Sequence, residues 1–226
     1  MKMIPVALAL ATLTSAPAFA GSILTVTPSG QSLDVAVSKD GRIALGTDAR
    51  DSFDLITKGA GIRTALFGIH AYQGELLVNK DDVAAYSCDA TKALADLKNI
   101  KVVAIRINVL FNFDKAKLTE ALNAGFAANG VNPNGKDVKD LLAKIEDASA
   151  PNARSGAQIV FAGRVNADGT ETVTYENGSN DAANPYVKST TGAAGLIKAV
   201  FGLWLGKTND GGLKALNTNL QTCKVQ

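Results

Sequence analysis

Residues 100–111, IKVVAIRINVLF, constrain the fold of this chain more than any other stretch. The odd positions Val103, Ile105, Ile107, Val109 and Phe111 are all apolar, while Arg106 and Asn108 stand on the alternate side. Side chains of a strand alternate between two faces, so this pattern is a long strand with one continuous apolar face. A sheet with such a face must bury it under a second layer. The Arg106–Asn108 side is expected to be solvated or ion-paired.

The rest of the chain supplies both sheet and cover. Residues 22–28 (SILTVTP) and 32–38 (SLDVAVS) read as two opening strands, with Pro28 to Gly30 as the turn between them. Residues 51–63 and 67–78 are extended runs. Residues 156–165 and 170–176 form a hairpin around Asn166-Ala167-Asp168-Gly169, a strong turn signal. Short helices are expected within 81–88 and 89–99. Asp114 caps a helix that buries Leu118, Leu122 and Phe126, and residues 137–147 repeat the helical period with Val138, Leu141, Leu142 and Ile145. Ala193, Leu196, Ile197, Val200, Phe201 and Trp204 make an amphipathic stripe that packs on the sheet. A last short helix covers 211–220. The sum is an α+β fold, a mostly antiparallel sheet covered by a layer of helices, in one domain without repeats or linkers.

The first twenty residues are read as a leader, not as part of that fold. Lys2, a short apolar core and Ala18-Phe19-Ala20 match a secretory signal cut after Ala20, leaving residues 21–226 as the mature, periplasmic or secreted chain. Its loss takes the net charge from +2 to +1 by removing Lys2. No basic cluster suits nucleic acid, and no later stretch is apolar for the roughly 18 residues a membrane span needs. Cys88 and Cys223 are expected to form a disulfide in an oxidising compartment, the alternative being two thiols. Their distance in sequence from the single histidine, His70, offers no metal-ligand spacing, so neither metal nor cofactor is expected.

Within GAGIRTALFGIHAYQGELLV, residues 59–78, a permanent cation interrupts a run that otherwise reads as buried strand. Gln73 and Glu75 make the odd side the wetter one, so Tyr72 turns inward with Leu76 and Val78. A two-residue turn at Phe67-Gly68 pairs positions adding to 135 and sets Arg63 opposite Tyr72 on the same face. A one-residue slip would separate them. A buried guanidinium needs an anion. That anion is either an internal carboxylate, for instance Asp54 or Glu171, or the carboxylate of a ligand, with Tyr72 as a second donor.

These residues resemble the chalcone isomerase-like family, which includes exported bacterial proteins and plant fatty-acid-binding members. Gly59-Ala60-Gly61-Ile62-Arg63 is similar to the family's G-x-G-x-R turn. Ala71-Tyr72 with Leu76-Leu77 is similar to its following strand, Leu77 replacing an aromatic. Phe201-Gly202-Leu203-Trp204-Leu205-Gly206, followed by Leu213 and Leu216, is similar to its late helix end. The resemblance spans about residues 52–220. It implies an open-faced β-sandwich with a cleft between helices and sheet, where Arg63 and Tyr72 would hold a lipid carboxylate. His70 would line the mouth of that cleft. Catalytic residues are not implied: Tyr72 stands where the enzymes have Thr, and residues 108–118 offer Phe111 and Phe113 but no Tyr.

Three functions remain open at this point. The first is a periplasmic, non-catalytic binding protein for a small lipophilic carboxylate such as a fatty acid. The second is a structural or interaction module with Arg63 paired internally. The third is an isomerase or lyase on an unknown substrate. No G-x-S-x-G elbow or complete dinucleotide loop is present. Asn177-Gly178-Ser179 reads as loop. The small residues 190–195 before the last long helix fit either an anion-binding terminus or a packing contact.

Overall fold

The computed structural model of the chain describes residues 21–46 and 51–226. The expected leader lies outside the described residues. Eight strands follow one another in space as in sequence: β1 (Leu24–Ser32), β2 (Ala36–Ala44), β3 (Ser52–Thr64), β4 (His70–Asn79), β5 (Val102–Val109), β6 (Gln158–Val165), β7 (Glu171–Asn177) and β8 (Tyr186–Gly192). Every neighbouring pair is antiparallel. Among the described residues five α-helices accompany them: α1 (Ala93–Asp96), α2 (Lys115–Ala128), α3 (Lys136–Glu146), α4 (Leu196–Leu205) and α5 (Lys214–Gln221). None of the helices among the described residues is long and apolar enough to cross a membrane.

The helical layer covers the face predicted from β5. Val103, Ile105, Ile107 and Val109 join Leu76, Val78, Phe161 and Tyr175 beneath Leu122, Phe126, Leu141, Ile145, Val200, Phe201, Trp204 and Leu216. Asp114 caps α2 by accepting the Lys117 amide at 2.7 Å. The α4 terminus is occupied from within, since Glu171 accepts the Ile197 amide at 2.6 Å. That removes Glu171 as a partner for Arg63. The other internal candidate, Asp54, lies 3.9 Å from Arg42 on the surface.

The second face of the sheet is covered too, by the β1–β2 arm curling back over it. Leu24 and Ile43 of the arm pack with Leu55, Leu77, Val102, Ala104, Val160 and Ala162. Polar groups pin the arm at both ends. Near its start, Glu176 accepts from the Ser22 hydroxyl at 2.6 Å and the Ile23 amide at 2.5 Å. Burial pushes the Glu176 carboxyl above its usual range, although those hydrogen bonds pull it down. Near the β1–β2 turn, Gln73 accepts the Val35 amide and Glu75 the Ser38 amide, both at 3.1 Å. The side of β4 expected to be wet is therefore buried, Gln73 and Glu75 having no exposed surface, and on β5 Arg106 is ion-paired, as one of the two expectations had it, with Glu75 at 3.1 Å.

Three local expectations are corrected. Pro28 to Gly30 is not the first turn. β1 runs through it with register shifts, and the chain reverses at residues 33–35. Pro28 is tolerated because β1 is an edge strand, where a missing N–H need not break a ladder. β8 was not anticipated, because Lys188, Ser189 and Thr191 leave it no apolar alternation; it is the opposite edge strand and needs only one partner. The last third is thus not wholly helical. Asn177, read as loop, is the buried last residue of β7 and donates to the Pro151 carbonyl and the Tyr175 hydroxyl.

Cys88 and Cys223 are joined in a disulfide, with Cα atoms 5.2 Å apart. Beyond it, the tail lies along the stretch of β3 that β2 leaves unpaired. The Ala60 amide donates to the Lys224 carbonyl at 2.8 Å, and the Gln226 amide to the Ala60 carbonyl at 3.2 Å.

Candidate functional site

The glycines of residues 59–61 are explained by what rests on them. A Cβ on Gly59 would stand 2.6 Å from the Asn219 carbonyl oxygen and 3.1 Å from the Leu220 Cα. One on Gly61 would stand 3.3 Å from the Leu216 Cα. Across the ladder, a Cβ on Gly74 would meet the Leu216 side chain at 2.9 Å. These positions let α5 lie directly on β3 and β4. Gly59→Val is accordingly expected to lift α5 and cost about 1–3 kcal/mol of stability, read as a lowered urea midpoint.

Seating α5 fixes what Arg63 meets. The α4–α5 connection, residues 206–213, is laid against the end of β3, where the Thr64 amide donates to the Gly212 carbonyl at 3.1 Å. This brings Asp210 to Arg63. Nε at 3.0 Å and Nη2 at 2.7 Å both donate to Asp210 Oδ2. The other carboxylate oxygen, Oδ1, accepts the Gly212 amide at 2.9 Å. Asp210 is thus shared between the cation and its own turn.

Tyr72 lies beside this pair. β3 and β4 set Arg63 directly opposite Tyr72, and the guanidinium carbon is 5.9 Å from the ring centre. The hydroxyl accepts from Trp204 Nε1 at 3.1 Å. Burial pushes the Tyr72 phenol up to about 12, the Arg63 charge opposing without cancelling it. At neutral pH it is therefore a protonated phenol, able to donate a hydrogen bond and unsuited to act as a base.

The register arises differently from the reading of a two-residue turn. The turn has three residues, Leu66–Gly68, closed by the Ala65 amide on the Ile69 carbonyl at 2.6 Å. One extra residue in β4, Ala71, then restores the pairing of Arg63 with Tyr72. The same bulge breaks the alternation at His70. His70 does not sit with Tyr72; its Nδ1 pairs with Asp34 in the β1–β2 turn.

The site therefore joins Arg63 of β3, Tyr72 of β4, Trp204 of α4 and Asp210 of the following loop. Two of these were missed: Trp204 had been read only as packing, and Asp210 not at all. The signal for Asp210 was the turn sequence Thr208-Asn209-Asp210-Gly211-Gly212. Two grooves of about 580 and 270 Å³ open elsewhere. The first is lined by Thr25, Lys39, Arg42 and Lys80, the second by Asp51, Arg164 and Thr172, and neither includes Arg63, Tyr72 or Trp204.

A family model described as chalcone isomerase-like matches residues 47–216, three quarters of the chain. The chain belongs to the chalcone isomerase-like family. The eight-stranded antiparallel sheet with its helical layer is consistent with that fold. No curated protein matches the chain. The matched region contains β3 to β8 and the four residues of the site, while the disulfide's second cysteine and the tail that pairs with Ala60 lie beyond it.

Proposed function

We propose that this is an exported, non-catalytic interaction protein of the chalcone isomerase-like fold, in which Arg63 is a structural cation. The observation that carries this reading is the convergence of Arg63 Nε and Nη2 on Asp210 Oδ2. A guanidinium with an internal carboxylate already in place has no unmet charge to draw a ligand. The Tyr72 hydroxyl already accepts from Trp204. Export is supported by the disulfide, since such bonds persist in oxidising compartments.

A second reading is favoured by one further observation. The Asp210 side chain is 41% exposed in a surface loop, so the carboxylate of a lipophilic acid can exchange with it. On that reading Arg63 and Tyr72 hold the head group, and Asp210 competes with the ligand.

Lipid extraction followed by fatty-acid titration decides between them. The first reading expects no lipid on the wild type and no binding by wild type, Arg63→Ala or Asp210→Ala. It also expects a coupling of about 0.5–1 kcal/mol between the two residues in a stability cycle, modest because both are partly exposed. A bound acid that is lost in Arg63→Ala and held more tightly in Asp210→Ala overturns it in favour of the second.

A further inference from the structure

Three of the protein's exposed large apolar side chains gather at one end of the sheet. Phe67, at the tip of the β3–β4 hairpin, is 99% exposed, and Ile69 and Phe111 are 43% and 53% exposed. Phe111 belongs to the same end because its amide, like that of Leu110, donates to the Ala71 carbonyl. Ile69 and Phe111 flank the base of the turn and Phe67 stands beyond them, so the apolar surface is a projection and not a groove.

The backbone sharpens the point. Phe67 has φ 60° and ψ 24°, in the left-handed region. Bulky residues are rare there, and Asn, Asp or Gly would hold the same turn with less strain. A phenylalanine without contacts, in a conformation that disfavours it, adds nothing to the fold.

We propose that this hairpin tip inserts into the interfacial region of a lipid bilayer. The inference rests on the reading of a non-catalytic interaction protein and names its partner. Area argues against a protein partner: the three side chains together offer roughly 400 Å², about half of what each side of a stable protein interface buries. Shallow insertion into a bilayer has no such threshold. The surroundings fit as well. Behind the tip stand Arg63, ion-paired with Asp210, and His70, hydrogen-bonded to Asp34. Arg63, with its charge met by Asp210, adds no free cation to draw anionic headgroups.

The test is flotation of the full chain, recovered from an exporting host and its amino terminus checked by mass spectrometry, with phosphatidylcholine vesicles. Parallel vesicles carry added phosphatidylglycerol. The wild type is expected to float equally with both, at low and at raised salt. Phe67→Asp is expected to lower the partition coefficient about tenfold or more, since an apolar ring gives way to a charge. Phe67→Asn should lower it too, with the melting temperature unchanged or raised, which separates loss of binding from loss of fold. The proposal is overturned if the wild type stays with the free protein, or if Phe67→Asp floats like it. It is also overturned if flotation needs phosphatidylglycerol and vanishes in salt, or if Phe67→Asp instead dissolves a dimer seen by sedimentation. Fatty-acid binding by a protein that floats through Phe67 would overturn only the reading of Arg63.

Discussion

Replacing Cys88 and Cys223 together by serine is expected to lower the unfolding free energy by about 5 kcal/mol, the chain-entropy value for a loop of this size. The bridge spans 135 residues, so more than half of the denatured chain is released from a closed loop when it is cut. The native state loses less. The Tyr86 hydroxyl still donates to the Leu220 carbonyl at 3.0 Å, holding the end of α5 near Cys88. Both cysteines, however, hold left-handed backbones, with φ 56° and 57°, a conformation that non-glycine residues disfavour. Once freed, residues 224–226 are expected to leave Ala60 and expose the β3 edge they cover. Urea unfolding with and without reductant reads the first effect, and amide exchange at Ala60 the second. A change in midpoint near zero would mean that the tail is held by its backbone pairing alone.

That tail shows what could and could not be read from the chain. The cysteine pair was legible because parity and compartment are properties of composition. β5 and α4 were legible because one element's own residues carry the whole period, 2 in the first and 3.6 in the second. The Arg63–Tyr72 neighbourhood was legible for a weaker reason: an antiparallel hairpin ties partners together by counting. The count still reached the right pair through the wrong turn, because Ala71 supplied the residue that the three-residue loop displaced. His70 shows the cost of that cancellation, since parity fails on one side of a bulge. Asp210 was illegible by its nature. It lies 147 residues from Arg63, and only the seating of α5 on Gly59, Gly61 and Gly74 brings it there. The burial of the polar side of β4 was illegible for a related reason. Alternation tells which residues share a face, but whether that face meets water depends on where the β1–β2 arm folds.

That arm supplies the second large effect. Glu75→Ala is expected to destabilise the protein by about 3–5 kcal/mol, the range for removing one partner of a buried ion pair. Glu75 has no exposed surface and is the meeting point of groups from three strands. Its Oε1 accepts from Gln73 at 3.0 Å, Arg106 at 3.1 Å and Asn108 at 3.3 Å. Its Oε2 accepts from the Ser38 amide at 3.1 Å and from the Ser38 hydroxyl. Alanine leaves the Arg106 guanidinium, 14% exposed, facing a void with only Gln158 Oε1 at 2.8 Å to meet it. It also orphans the Ser38 amide, which is what anchors β2 over the second face. The loss is therefore expected to appear first in the arm. Amides of β1 and β2 should exchange faster than those of β5 to β7, and the urea midpoint should fall. Replacing Glu75 and Arg106 together by methionine should cost less than Glu75→Ala alone, because no buried charge is left without its counter-charge. The opposite order, with the double variant weaker, would show that Arg106 is held mainly by Gln158 and that the pair is not what fastens the arm.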